Sequence, residues 1–300
     1  MTLPEDILEK YRRAGTIARE VRGKMKQSVR EGAPLINVCE KAEGLIRQKG
    51  GQPAFPCNVS VNEIAAHYTS PPNDTQTIPP NSLVKVDVGV HIDGYIADTA
   101  VTVCFCPELE NLVRTAEEAL STAIKTIRAE MSTSKLGSAI QKAVKAYGCK
   151  PISNLTGHQV GRYLIHTGKS IPNVSHLMGA KIRRGEVLAL EPFVTVAKAI
   201  GKVRDGRDTT IFRFVKRRSI GDPHAKRLLS HIETNFRTLP FAERWLKDIV
   251  PAQNHASAFK ELLHSRCLIS YPVFIEASGN PVAQAEHTVL VQEDGCEVLT

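Results

Sequence analysis

Asp87 and Asp98 stand eleven residues apart in the run Val84-Lys-Val-Asp87-Val-Gly-Val-His-Ile-Asp-Gly-Tyr-Ile-Ala-Asp98-Thr99. Asp93-Gly94 is ordinary turn chemistry, so the run predicts a β-hairpin with strands over 83–91 and 95–105. A two-residue turn at Asp93-Gly94 pairs residues whose numbers sum to 187. Asp98 then faces Gly89, on the side of the sheet that carries Asp87. A turn at Ile92-Asp93 gives a sum of 185 and sets Asp87 directly opposite Asp98. Both registers bring the two carboxylates onto one face. Like charges held close among Val, Ile and Ala are costly unless a cation or a proton lies between them. The alternative is a solvated outer face, where aspartate costs nothing.

Three further residues share the same difficulty. Glu191 sits in Val187-Leu-Ala-Leu-Glu191-Pro-Phe-Val, and Glu286 in Val282-Ala-Gln-Ala-Glu286-His-Thr-Val-Leu. Each is the lone charge of an apolar strand, which calls for a salt bridge or a metal. His158 lies between glycines in Thr156-Gly-His158-Gln-Val-Gly161, read as a tight turn, and is either a surface residue or a ligand. His166 follows in Leu164-Ile-His166-Thr-Gly. Four carboxylates and one imidazole make a hard, oxygen-rich donor set suited to paired Mn, Co, Fe or Zn. Paired ions lower the pKa of a shared water and polarise a carbonyl, which is the chemistry of a hydrolase.

The elements that position these residues are legible from periodicity. Thr2-Leu-Pro-Glu5 predicts a capped helix start, followed by apolar residues at spacings of three and four to Val29. A second helix is expected over 35–49, ending at Gly50-Gly51. Helical spacing returns over 107–130 and 134–147, with Ser134 as the cap and Gly148 as the terminator. Val187–Val194 reads as one strand, and 273–277 and 288–291 as two more. Between them Asp222-Pro223 opens a helix, and 240–250 and 255–264 read as two others. A β-rich frame that resumes after a helical block indicates an insertion.

Composition agrees with a globular chain of 300 residues, 42% apolar and 23% charged. No stretch reaches the roughly 18 apolar residues of a membrane span. The charged N-terminus lacks a secretory core, so a cytoplasmic protein is expected. Seven cysteines without a CxxC pair argue against a zinc ribbon and for a reducing compartment without disulfides. The net charge of +8 is uneven: residues 199–270 hold 14 Lys and Arg against 7 Asp and Glu. That excess is either a solvated face or a surface for nucleic acid.

Taken together, the Asp87–Asp98 run, Gly157-His158, Ile165-His166-Thr-Gly-Lys, Leu190-Glu191-Pro and Ala285-Glu286-His resemble the methionine aminopeptidases. The basic block resembles the insertion of their type II branch, and the short N-terminal part looks archaeal. The resemblance implies an α+β pita-bread (creatinase/aminopeptidase-like) fold with two pseudo-symmetric halves. It implies a catalytic domain over 1–198 and 271–300 and a winged-helix-like basic subdomain over 199–270. It also implies two divalent ions on Asp87, Asp98, His158, Glu191 and Glu286, with a bridging water or hydroxide between them. Glu191 would double as acid/base, and His67 and His166 would contact substrate. Phe55, Ile165 and Tyr271 would line a methionine pocket. Cys57 and Asn58 depart from the Thr-Gly-Cys-like stretch common in that family.

On this reading the chain is a monomeric exopeptidase that acts on the N-terminal methionine of nascent peptides when the second residue is small. It has no membrane partner, and ribosome contact would run through the basic insertion. The rivals are an X-Pro aminopeptidase of the same fold and a non-catalytic relative that binds RNA or ribosomes. The first usually carries a longer N-terminal domain, and the second loses metal ligands.

Overall fold

The computed structural model describes residues 3–300. Its centre is the hairpin of Leu83–Ile92 and Tyr95–Cys104. The register pairs Gly89 with Asp98 and Ile92 with Tyr95, the sum of 187. Asp93 and Gly94 both take positive φ, 50° and 87°, as a two-residue turn matching the right-handed strand twist requires. The other edge of Leu83–Ile92 is shared by Gln52–Pro53 and Asn58–Val61.

Alternation then sorts the hairpin's side chains. Val84, Val86, Val88 and Val90, with Ala97 and Val101, pack against the helices Glu5–Ser28 and Leu35–Gln48 in one apolar core. The opposite face carries Lys85, Asp87, Asp98 and Thr102 toward the second half of the molecule. The first helix begins at Glu5 behind Pro4. Thr2, its expected cap, lies outside the described residues.

The second half repeats the plan. Helices Glu110–Thr126 and Thr133–Ala146 cover a core that includes Leu188, Leu190, Val194, Ala283 and Val289. Beneath them run two sheets. One has five strands in the order Cys296–Val298, His287–Val291, Val187–Leu190, Thr156–Gln159 and Ser170–Pro172. The other has three, with Phe193–Val196 between Val282–Gln284 and Cys149–Pro151. A third core, including Phe212, Leu228, Phe241, Phe259 and Leu268, lies within residues 212–268. The α+β class and the two-half arrangement are as expected.

Four local expectations are corrected. Val187–Val194 is two strands, Val187–Leu190 and Phe193–Val196, in different sheets. Pro192 has no N–H to continue the ladder, so the chain changes sheet at Glu191-Pro192. His158 lies in the strand Thr156–Gln159 rather than in a turn. Gly157 permits this, because a Cβ there would stand 2.3 Å from the Ala189 carbonyl oxygen. Ser132, not Ser134, caps the helix Thr133–Ala146, its hydroxyl accepting from the Ser134 N–H. Residues 240–250 contain an edge strand, Pro240–Ala242, and a 3-10 turn, Glu243–Leu246, instead of a helix. Pairing with Val203–Phe214 buries Phe241 and Ala242, and an edge tolerates the proline.

Candidate metal centre and its pocket

Five side chains from five positions converge between the halves. Asp87 and Asp98 come from the hairpin face, and His158 from the strand that Gly157 lets in close. Glu191 stands where Val187–Leu190 gives way to Phe193–Val196. Glu286 stands at the equivalent break between Val282–Gln284 and His287–Val291. The two breaks are paired, since Leu190 faces His287 and Phe193 faces Gln284. Each glutamate is thus released from its ladder at the point where the sheets part.

The distances fit one centre. Ligand atoms of Asp98, His158 and Glu286 all lie within 4.8 Å of one another. His158 Nε2 is 3.4 Å from Glu191 Oε1 and 3.7 Å from Asp98 Oδ2. Asp87 shares the cavity with them. Gln284 Nε2 donates to Glu286 Oε2 at 3.3 Å and to Glu191 Oε2 at 3.5 Å, linking the two glutamates.

Electrostatics show what such a centre lacks. Burial pushes the Asp87 carboxyl up to about 7. Burial, and then the neighbouring carboxylates, push Asp98, Glu191 and Glu286 well above the usual carboxylate range. Burial drives His158 down to about 3, so its ring is the neutral form that binds metals. Its approaches to Asp98 and Glu191 are therefore not ion pairs at neutral pH. Asp87 Oδ1, Asp98 Oδ1, Glu286 Oε1 and His158 Nδ1 are buried and find no hydrogen-bond partner among the described residues. An orphaned buried polar atom costs about 1–3 kcal/mol, and more when charged. Cations relieve the three carboxylate oxygens together, with His158 Nε2 facing the same centre, and two divalent ions balance four carboxylates. The donor set fits paired transition ions.

Threonines lock the ligands in place. Asp98 N donates to Thr288 Oγ1 at 2.7 Å, and Thr288 Oγ1 donates to Asp98 O at 2.8 Å. Thr99 Oγ1 donates to Glu286 O and Thr102 Oγ1 to Gln284 O, both at 2.7 Å. These bonds join the hairpin to the strand that bears Glu286. Such outer partners tune a metal site.

The centre opens into a cavity between the halves. Phe55, Ile165 and Tyr271, expected from the sequence, line it, as do His67 and His166. His67 takes a strained φ of 65°, and its ring lies 4.4 Å from that of Phe274. Burial, and then His166, lower its pKa to about 4. The His166 ring rests 4.2 Å from that of His158. Loss of water and the nearby Arg213 cation lower its pKa as well. Both rings are neutral at pH 7.

Sequence reading assigned no role to Gln284, Asn58, Ile211 or Pro240. Asn58 and Gln284 sit close to Asp87, and their polar groups hold its pKa below what burial alone would give. Gln284 had a signal: a polar residue two positions before Glu286 in an otherwise apolar run. Ile211 and Pro240 had none, because they reach the pocket from the insertion.

Comparison with known proteins agrees with this geometry. The sequence profile of metallopeptidase family M24 matches residues 9–293. A methionine aminopeptidase of Methanothermobacter thermautotrophicus is 43% identical over 98% of this chain and 99% of its own length. The structure of a thermophilic Arx1 superposes with a TM-score of 0.85 at 20% identity, over 99% of this chain and 91% of that one. That of the methionine aminopeptidase from Thermotoga maritima gives 0.71 at 24% identity, over 100% and 98%. The two-half architecture is the pita-bread fold. On the profile match over nearly its full length and the 43% identical relative, the chain belongs to metallopeptidase family M24.

Proposed function

We propose that the chain is a methionine aminopeptidase, an exopeptidase that hydrolyses the N-terminal methionine from nascent proteins whose second residue is small. One observation carries the reading: three carboxylates with orphaned buried oxygens, a neutral imidazole and Glu191 open onto one largely apolar cavity. Asp87, Asp98, His158, Glu191 and Glu286 would hold two divalent ions, with Co, Mn, Fe and Zn as candidates. When bound, such ions supply Lewis acidity and an activated water.

The chain's own residues do the rest. Phe55, Ile165 and Tyr271 form an apolar slot for an unbranched thioether side chain. His67 and His166, both neutral, present ring N–H groups to the scissile amide. Burial and the neighbouring Asp87 raise the Glu191 carboxyl well above the usual carboxylate range, which suits it to carry a proton from water to the leaving amine. The seven cysteines are free thiols, which supports a reducing, cytoplasmic setting. No helix among the described residues is long and apolar enough to cross a membrane.

The test is peptide hydrolysis after chelation and reloading with each candidate ion. Met-Ala-Ser should release methionine and X-Pro peptides should not. No methionine released with any ion would refute the reading.

The same proposal divides the chain into a catalytic body, 1–198 and 271–300, and a basic subdomain, 199–270, supported by the latter's separate core. We read the exposed run Lys216, Arg217 and Arg218 as a contact for ribosomal RNA. Arg217 is already paired with Glu233 at 2.5 Å, so Lys216 and Arg218 carry the free charge. Cosedimentation with ribosomes should weaken with salt and be lost when all three are neutralised. Binding that survives neutralisation would remove this part.

A further inference from the structure

The pocket wall does not stop at Tyr271. Ile211 and Tyr271 are register partners on the paired strands Val203–Phe214 and Leu268–Glu276, and both line the cavity. Two residues further along, Arg213 pairs with Ile269 on one side and with Pro240, another lining residue, on the other. Alternation puts Ile211, Arg213 and Val215 on one face and sends Phe212 into the core of the basic subdomain. No bulge interrupts the pairing between Ile211 and Phe214. The wall therefore continues as a ledge out of the mouth.

The composition of that ledge is unusual for an exposed surface. Ile269 is 39% exposed and Val215 43% exposed. Arg213 is half-buried between them and has no ion-pair partner among the described residues. Its Nε is buried and likewise finds no hydrogen-bond acceptor among them. Its charge reaches His166, at the mouth of the same cavity. Two residues of strand advance roughly 7 Å, the reach of two residues of extended peptide. A substrate with its first residue in the pocket lays its third alongside the guanidinium.

We propose that Arg213, with Ile269 and Val215, forms a subsite for the substrate's third residue that selects an acidic side chain over a basic one. This rests on the aminopeptidase reading and deepens it. A guanidinium fork matches a carboxylate with two parallel N–H donors and repels an ammonium. The two apolar neighbours hold the peptide against the ledge.

The test compares Met-Ala-Asp, Met-Ala-Ser and Met-Ala-Lys amides on the metal-loaded full chain at low salt. We expect kcat/KM to favour Asp over Lys by about fivefold, the range of a partly exposed ion pair, carried mainly in KM. The ratio should shrink as salt rises. It should fall to about one in Arg213→Gln and invert in Arg213→Glu, as loss and reversal of one charge require. Equal rates for Asp and Lys peptides in the unaltered enzyme, which involve no variant, would overturn the subsite while leaving the aminopeptidase reading intact. An undiminished Asp preference in a folded Arg213→Gln enzyme would also overturn it. No methionine released from any of the three peptides would remove the function itself.

Discussion

Glu191 is asked to do two things, to complete the ligand set and to carry a proton. An amide keeps the shape and one oxygen but cannot take up the proton. Glu191→Gln should therefore lower kcat by about 10²–10⁴-fold, the usual worth of a positioned acid/base, while KM moves far less. Steady-state kinetics with the metal content measured in parallel checks this, and a kcat near that of the unaltered enzyme would sink the assigned role. The ligand residues were legible because a carboxylate in an apolar strand demands a partner whatever the fold. Gln284 shows the limit of that logic. A neutral amide in a strand demands less, so its place two positions before Glu286 marked it only weakly and did not reveal the link to Glu191.

At the scale of elements, the hairpin carries two consequences. Gly89 faces Asp98 and gives its space to Phe55, since a Cβ there would stand 2.2 Å from that ring. Gly89→Ala must push Phe55 out of place in the pocket. It should raise KM for methionine peptides and cost about 1–3 kcal/mol as an overpacking substitution, read by kinetics and thermal melting. His91, near the hairpin tip, accepts the Gly94 N–H on Nδ1 at 3.1 Å, and burial lowers its pKa to about 4. The unfolded chain takes up that proton near 6.5, so between those values it binds more protons than the fold does. Stability from His91 is full above 6.5 and is lost as pH falls toward 4. His91→Gln should flatten that part of the melting-temperature profile, and an unchanged slope would refute it. The sequence left two hairpin registers open, both with the aspartates on one face, and the structure takes the one that turns at Asp93-Gly94. The strand break at Glu191 was less visible, because Pro192 marks an interruption without saying that the strand resumes in another sheet.

For the whole molecule, the question is how the segment 199–270 is held to the rest of the chain. Arg244 and Trp245, on its 3-10 turn, reach Glu43 on the second helix. The Arg244 guanidinium pairs with Glu43, and Trp245 Nε1 donates to it at 2.7 Å. Arg244 also donates to Thr69 Oγ1 and Ser70 O, both at 2.9 Å, close in sequence to His67. The pair is almost fully buried, at 5% and 2% exposure. Glu43→Leu strands the guanidinium and should cost about 3–5 kcal/mol in a denaturation experiment. Adding Arg244→Leu should recover part of that loss, and a single variant as stable as the parent would show the anchor to be dispensable. Lys85, buried on the site face of the hairpin, joins the two halves in a similar way. Its Nζ donates to Asn62 O at 2.9 Å and to Val282 O at 2.7 Å.

The sequence by itself determined the five residues that meet in one cavity, the shared face of Asp87 and Asp98 and the α+β class. These follow from periodicity, turn chemistry and the cost of buried charge, which act over a few residues. Tertiary structure decided what depends on distant neighbours. It moved His158 from a turn into a strand, because Gly157 could approach Ala189. It set Glu191 and Glu286 at matched breaks, because two sheets part there. It also brought Ile211 to the cavity beside the centre, through pairing with Leu268–Glu276. Local rules cannot reach across such separations, since packing between sheets depends on which faces meet and not on the run of residues within either.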